Sequence, residues 1–373
     1  MKKVLLVATV QSHICQFHRL LADLLHEHGC VVHVAARDNL AEKNGLKLDF
    51  ADKVYDIPFS RSPKDPMNIK AYRQLKQVID SEGYDIIHCN TPMGGILTRL
   101  AAKKARKRGA KVFYTAHGFH FYHGAPKKNW MLYYPIEKWF ARKTDKLITI
   151  VSEDFETATK KFQCPVYRIH GVGVDGNRYF PVDSREQASL RAGMNFDTNQ
   201  KIILCIGELL PNKNHRMAIK AMADIVQQYP DAKLLIAGNG PEKEHLKEQI
   251  TNLGLQENVI LLGYVTNLQD YQQVADLLVA CSFREGLGLN VIEAMMSGNP
   301  VVLSDNRGHR ELVDSGNNGY LVAPNDSHAM AECVLRIFEN SEERQRFSDN
   351  AIAFSQKYNY EAVRSELESI YEF

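Results

Sequence analysis

Short, uninterrupted apolar runs recur along this chain, each followed by a longer stretch whose apolar residues fall at helical spacing, and the series occurs twice. A run such as Val4-Leu5-Leu6-Val7 lacks the alternation of a strand with one wet face, so it needs apolar cover on both sides. That is the situation of a parallel sheet between two layers of helices. In the first series, residues 3–9, 31–35, 85–88, 111–115 and 146–150 read as strands, with helices at 17–28, 69–82, 95–107 and 129–142. After a loop at 171–183 the rhythm restarts, with strands at 202–207, 233–238, 259–262, 277–280 and 300–304 and helices at 217–228, 242–253 and 289–297. The pattern predicts two doubly wound α/β domains, 1–180 and 181–357, with a cleft between them. A last amphipathic helix is expected within 358–373.

Length agrees, since a single core stops growing at about 250–300 residues and this chain has 373. With 45% apolar and 24% charged residues it is neither disordered nor fibrous. No run reaches the ~18 apolar residues of a membrane-spanning helix. The apolar residues after Met1-Lys2-Lys3 lead into Gln11-Ser12-His13 with no small-residue cleavage site, which reads as a first strand and not as a signal peptide. Seven scattered cysteines give no paired spacing for zinc or disulfides, and a cytoplasmic protein is expected. The net charge of +2 hides an asymmetry, because residues 1–182 carry +12 and the remainder −10. On one continuous helix Arg99, Lys103, Arg106 and Lys107 fall at i, i+4, i+7 and i+8. They would form a basic stripe, either a solvated face or a surface for anionic lipid headgroups. No recognition-helix or RNA-binding signature accompanies it, so no nucleic-acid partner is expected.

Open α/β sheets bind ligands beyond the carboxyl ends of their strands, and the residues there exclude several chemistries. The turn after the first strand has no glycine, and Gly238-Asn239-Gly240-Pro241 lacks the third glycine of a dinucleotide fingerprint, which disfavours a nicotinamide enzyme. No Asp-x-Asp pair is present to hold a divalent metal on a nucleotide diphosphate, and no Gly-x-Ser-x-Gly elbow marks an esterase.

Three stretches carry candidate chemistry. Glu285-Gly286-Leu287-Gly288-Leu289 runs into an apolar helix holding Glu293. A glycine-bearing turn there exposes backbone N–H groups at the positive end of the helix, an anion site. A carboxylate among Val291, Ile292, Ala294 and Met295 needs donors, which a sugar's vicinal hydroxyls or a structural cation could supply. Lys213, in the loop that begins at Gly207-Glu208, would stand at a strand's carboxyl end, where a cation can meet a diphosphate. His117, Phe119, His120, Phe121, Tyr122 and His123 crowd one loop. Their spacing suits sugar stacking and hydrogen bonding better than a metal.

Glu285 and Glu293 form a Glu-x7-Glu pair followed by Ala294-Met295 and Ser297-Gly298-Asn299-Pro300-Val301-Val302. Together with Gly207-x-Leu209, Lys213-Asn214, Gly238-x-Gly240-Pro241 and Gly171-Val172-Gly173-Val174-Asp175, this resembles retaining glycosyltransferase family 4, over essentially the whole chain. The stretch Ala116-His117-Gly118-Phe119-His120-Phe121 is similar to bacterial transferases of capsule and exopolysaccharide assembly. The resemblance implies the GT-B architecture of two facing Rossmann-like domains across an interdomain cleft, with the helix of 358–373 crossing back to the N-terminal domain. It also implies a hexosyltransferase that moves a hexose or N-acetylhexosamine from a nucleotide sugar, a UDP-sugar by the family's habit, with retention and with no metal or other cofactor.

It also implies roles. Glu293 would bind the ribose hydroxyls, Glu285 the donor sugar, and the amides of Gly286, Leu287, Gly288 and Leu289 the sugar and diphosphate. Lys213 would neutralise the leaving diphosphate, and His117 would stand at the reacting centre. Gly207, Glu208, Gly238, Gly173 and Val265 would line the donor site. Ser12, His13, His120 and Tyr122 are expected on the acceptor side, with the 171–182 region as hinge. Glu208 stands where many members have a phosphate-pairing arginine, and the loop 9–13 lacks their paired glycines. The implied acceptor is a glycan, lipid-linked at the inner membrane face, where Arg99, Lys103, Arg106 and Lys107 and the Lys127-Lys128-Asn129-Trp130 and Tyr133-Tyr134 segments would make peripheral contact. Two other readings share the architecture: a sugar-nucleotide epimerase or phosphorylase, and an inactive sugar-nucleotide-binding assembly partner.

Overall fold

A computed structural model describes residues 1–43 and 45–373. The chain divides into two units, one of residues 1–173 with 360–373 and one of residues 174–359. The first boundary falls seven residues before the expected 180, and the last helix belongs to the first unit.

The first unit holds a seven-stranded parallel sheet: β1 Lys3–Val10, β2 Val31–Arg37, β3 Lys53–Asp56, β4 Ile86–Asn90, β5 Lys111–Ala116, β6 Lys146–Thr149 and β7 Val166–Arg168, in the order β3-β2-β1-β4-β5-β6-β7. The second holds six parallel strands: β8 Ile202–Ile206, β9 Lys233–Ala237, β10 Val259–Gly263, β11 Leu277–Ala280, β12 Val301–Ser304 and β13 Tyr320–Val322, in the order β10-β9-β8-β11-β12-β13. Both are the doubly wound sheets that the uninterrupted apolar runs require, and Leu5, Val7, Ile87 and Val112 in one, and Ile203, Leu234, Leu277 and Val302 in the other, are buried in their cores. In each sheet the strand order reverses between the first strand and the fourth, which opens a crevice at their carboxyl ends.

The strands that the sequence pattern missed are β3, β7 and β13. The first two are sheet edges and the third closes its sheet on one side, so none needs the two-sided apolar run that marks a central strand. The helix expected over 17–28 begins earlier and is broken: Gln11–Phe17 and Arg19–Glu27 flank His18, whose φ of −129° leaves the helical region. The expected loop 9–13 is accordingly the end of β1 and the first turn of a helix.

The helix expected over 95–107 is divided into Pro92–Ala101 and Lys103–Lys107, and the basic stripe is lost because two of its four cations turn into ion pairs. Arg99 is 2% exposed. Its guanidinium donates twice to Glu137 Oε2 at 3.1 Å, donates to Gly95 O at 2.9 Å, and lies over the Tyr114 ring at 4.1 Å. Arg106 is held by both carboxylate oxygens of Asp145 at 2.8 and 3.1 Å. Only Lys103 and Lys107 of the four are exposed.

Helix Tyr360–Tyr371 buries Val363, Leu367, Ile370 and Tyr371 on one stripe. It is fastened to the first unit by Arg364 on Glu27, Glu366 on His170, and the Tyr371 hydroxyl on His88 Nδ1 at 2.6 Å. Among the described residues no helix is long and apolar enough to cross a membrane.

Candidate active site

In the second unit, β8 ends at Ile206 and the chain turns through Gly207 and Glu208 into a single 3-10 turn, Pro211–Lys213. Asn214 follows with φ 52° and ψ 39°, a left-handed geometry that asparagine tolerates, and its amide donates to Pro324 O at 2.9 Å. The turn folds Lys213 back over Gly207, where a Cβ would stand 3.3 Å from Lys213 Cδ. Lys213 Nζ ends in an ion pair with Glu285 Oε1, and Ser282 Oγ donates to the same oxygen at 2.7 Å. Two residues 72 positions apart thus meet at the carboxyl ends of adjacent strands, β8 and β11. Asn212 stitches the two loops together, donating to Arg284 O and accepting from the Phe283 N–H, both at 2.9 Å.

The glycines of this region serve close approach of backbones. A Cβ on Gly238 would lie 1.9 Å from Gly207 O, one on Gly240 2.4 Å from Leu209 O, and one on Gly308 2.8 Å from Glu285 Cβ. The β9 loop therefore packs onto the β8 loop, and helix Arg307–Leu312, capped by the Asn306 side chain, packs against Glu285. Glu208 is exposed, and its carbonyl faces His215 Nε2 at 3.3 Å.

Helix Leu289–Met296 starts after Gly288, whose φ is 98°, with no side-chain cap. Its first turn keeps N–H groups for solvent or an anion. The side chain of Leu287 is in the core, while Gly286, Gly288 and Leu289 remain partly exposed. Glu293 lies on the same helix and retains some solvent-accessible surface. Burial pushes its carboxyl up to about 7, against the opposing pull of Arg178 and a hydrogen bond from Tyr179. Arg178 is anchored on Thr266 O at 2.8 Å and Gln269 Oε1 at 3.0 Å, which places Glu293 and the Val265 turn around one cation. Arg178 and Tyr179 lie in the loop that the sequence pattern marks only as a linker, and no local signal singles them out.

In the first unit, β1, β4 and β5 deliver Gln11, Asn90 and His117 to the same end of the sheet. His117 Nε2 is 3.2 Å from Asn90 Oδ1 and 3.3 Å from His13 Nε2. Burial pushes the His117 imidazole down to about 4, and lowers His13 with further help from His117 and Arg61. Asn90 precedes Thr91, a non-glycine residue at φ 63° and ψ 151°, and such backbone strain concentrates at functional sites.

The other residues expected here are placed differently. Ser12 is buried, with its Oγ accepting from Asn39 Nδ2 at 2.9 Å, so its hydroxyl is engaged in packing. His120 stacks on Tyr133 with centroids 4.6 Å apart, and the Tyr122 carbonyl accepts from Trp130 Nε1 at 3.1 Å. Phe119 and Phe121 are buried and stacked on each other at 4.7 Å, so they are core and not a sugar platform. Gly173, at φ 83°, faces Tyr360 and Leu20, which a Cβ would approach to 2.7 and 2.9 Å. In helix Lys127–Ala141 the exposed apolar side chains are Met131, Leu132 and Trp139, while Trp130, Tyr133 and Tyr134 pack on the core.

Comparison with known proteins shows the family of the chain. Residues 3–151 match the family model described as "Glycosyl transferase 4-like" and residues 186–354 the one described as "Glycosyl transferases group 1". The chain is 41% identical to "Putative glycosyltransferase EpsD" of Bacillus subtilis, over 99% of this chain and 96% of that one. It is 27% identical to the Escherichia coli "UDP-Gal:alpha-D-GlcNAc-diphosphoundecaprenol alpha-1,3-galactosyltransferase", over 81% and 79% of the two chains. Among solved structures, Anabaena Alr3699/HepE in complex with UDP and glucose superposes with a TM-score of 0.78 at 22% identity, covering all of both chains. Two Rossmann-like units, paired loops at the strand reversal of the second, and this likeness along the whole chain lead to one conclusion: the chain belongs to the family 4, group 1 glycosyltransferases of GT-B fold and is a transferase of that family.

Proposed function

We propose that this enzyme transfers a hexose or N-acetylhexosamine from a UDP-sugar to a lipid-linked glycan in capsular or exopolysaccharide assembly, with retention of configuration and without a metal. The observation that carries the reading is the Lys213–Glu285 pair, set beside an uncapped helix N-terminus and one helix turn from Glu293. A nucleotide diphosphate fits that set. Its ribose hydroxyls donate to Glu293, its phosphates meet the Lys213 ammonium and the first-turn amides, and its sugar reaches Glu285. As the sugar–phosphate bond breaks, negative charge grows on the departing diphosphate, and Lys213 and the helix terminus stabilise that charge. In a front-face transfer the departing phosphate takes the acceptor's proton, so Glu285 positions the sugar and forms no bond to it. His117, neutral at physiological pH, is assigned to the donor sugar.

The named relatives support the donor and acceptor classes: HepE was solved with UDP and with UDP-glucose, and the E. coli relative's name specifies UDP-Gal and a diphosphoundecaprenol acceptor. Exposed Met131, Leu132 and Trp139 beside Lys127, Lys128 and Lys138 offer the chemistry of an interfacial helix, consistent with a cytoplasmic enzyme at the membrane face. The test is nucleotide release from UDP-, GDP- and ADP-sugars, with and without EDTA, using membrane extract as acceptor and Glu285→Ala beside the wild type. EDTA-insensitive release from UDP-sugars that needs the extract and disappears in the variant is expected. Binding without release under every condition would instead favour an inactive assembly partner.

Glu293 gives a pH dependence with a defined sign. Its carboxyl lies near 7 in the folded protein against about 4.3 for an unperturbed glutamate. The stability this group contributes is therefore full below about pH 4.3 and is lost as pH rises through 7. Two ribose hydroxyl donors favour the carboxylate, so donor binding releases a proton. The affinity for a UDP-sugar, whose diphosphate diester does not titrate in this range, should rise between about pH 6 and pH 8. Calorimetry in buffers of differing ionisation enthalpy checks this, with Glu293→Gln expected to flatten the profile. A wild-type affinity independent of pH would remove Glu293 from the ribose.

A further inference from the structure

Three histidines of the first unit bring one ring nitrogen each into a single cluster. The donor atoms of His13, His18 and His117 all lie within 4.8 Å of one another. The sequence pattern grouped His117 with His120 and His123, but His120 stacks on Tyr133 and His123 is exposed. The partners come instead from the first helix. On a continuous helix positions 13 and 18 would lie about 140° apart. The break at His18 swings its ring back, so that its centroid is 5.5 Å from that of His13 and 5.8 Å from that of His117.

The geometry suits a tetrahedral cation. Zinc binds imidazole nitrogen at about 2.0–2.1 Å, which puts two ligand nitrogens of a tetrahedron about 3.3 Å apart. His13 Nε2 and His117 Nε2 are 3.3 Å apart. His18 is 4% exposed, and its buried Nε2 makes no close hydrogen bond among the described residues, the Asn90 side chain being the polar group that acts on its ring, an expensive state for a polar nitrogen. Asn90 Oδ1, 3.2 Å from His117 Nε2, adds an oxygen at the same place. Burial holds all three imidazoles below their ordinary range, in the neutral form that a metal requires. His13 and His117 remain partly exposed, which leaves a path for entry. Arg61 is the cation that opposes binding, acting on His13.

We propose that His13, His18 and His117 form a binding site for a borderline-soft divalent cation, of which Zn²⁺ is the type. Three imidazoles select against the oxygen-seeking Mg²⁺ and Ca²⁺. The cation is not a cofactor of transfer. Occupancy takes the His117 nitrogen out of use, so Zn²⁺ inhibits the enzyme, a consequence that rests on the role given to His117 above. The binding itself does not depend on that role.

The test uses full-length, tag-free, EDTA-stripped protein titrated with Zn²⁺ against a chromophoric chelator, and with Co²⁺ followed by visible absorption. One equivalent of Zn²⁺ should bind, with Co²⁺ bands of four-coordinate nitrogen and oxygen ligation. His18→Asn and His13→Gln should each weaken Zn²⁺ at least ~100-fold, the upper range seen when only an outer-shell partner is lost. UDP binding by the second unit and tryptophan fluorescence report whether each variant is folded. His13, being partly exposed, keeps the test open if His18→Asn unfolds. Wild-type affinity equal to that of a folded variant lacking these histidines, or thiolate-to-cobalt charge-transfer bands from the cysteines, would overturn the site. Zinc binding without inhibition would leave the site standing and displace His117 from the reacting sugar.

Discussion

Lys213→Ala should lower the rate of sugar transfer by ~100- to 1,000-fold, the range observed when one preorganised group is removed from a developing anion. The size follows from the surroundings. Lys213 is partly shielded, with its side chain 24% exposed, and its stem is held against Gly207. On the proposed function the ammonium would therefore meet the diphosphate with little reorganisation. The substitution also leaves Glu285, 15% exposed, as an uncompensated carboxylate facing an incoming polyanion, so KM should rise as well as kcat fall. Lys213→Arg should recover only part of the rate, because the planar guanidinium does not reproduce a point charge at the end of a folded-back stem. Glu285→Gln gives the converse. It frees the ammonium, so the nucleotide diphosphate should bind more tightly while transfer falls. Steady-state kinetics with a UDP-sugar, beside calorimetry with UDP, separates the two effects. Unchanged kcat in Lys213→Ala would mean that the helix terminus alone carries the leaving group.

The largest effect on stability is expected from Arg99→Ala, at roughly 3–5 kcal/mol, the cost of breaking a buried ion pair by removing one partner. Glu137 is 9% exposed and among the described residues would keep only the Tyr114 hydroxyl, 3.3 Å from Oε1. Gly95 O would lose its donor, and the Tyr114 and Phe140 rings would lose the cation 4.1 and 4.8 Å from their centroids. The double variant Arg99→Met, Glu137→Leu should regain most of the loss, since an apolar pair of similar volume avoids desolvating two charges. The measurement is clean because the chain's two tryptophans, Trp130 and Trp139, both lie in helix Lys127–Ala141 of the first unit. Urea unfolding followed by their fluorescence reports that unit alone. A shift below about 1 kcal/mol would place Arg99 among surface ion pairs and refute the buried assignment.

The contrast between these residues shows what a sequence can carry. The placement of Lys213, Glu285 and Glu293 was legible, because each follows a strand or enters a helix whose position hydrophobic periodicity marks, and strand ends are where an open sheet binds ligands. Arg99 was misassigned by the same reasoning. Its helical spacing to Lys103 and Arg106 is real, but the helix breaks at Ala102, and its partner, Glu137, lies 38 residues downstream. Phe119 and Phe121 failed alike, because a loop aromatic is equally consistent with an open platform and with a core that covers it.

Two series of apolar runs, repeated at βαβ spacing, were enough by themselves to set two doubly wound domains, the central strands of their sheets and the loops that bear the candidate chemistry. Periodicity and turn chemistry are local properties, written within a few residues of where they act. Only the tertiary structure decided which polar groups are solvated and which are paired: Arg99 sealed against Glu137, Arg178 bonded to Thr266 and Gln269, and His18 turned inward to meet His13 and His117. A buried charge or imbalance of donors is settled by groups from distant elements, and the low dielectric that makes such encounters matter exists only once the chain has folded.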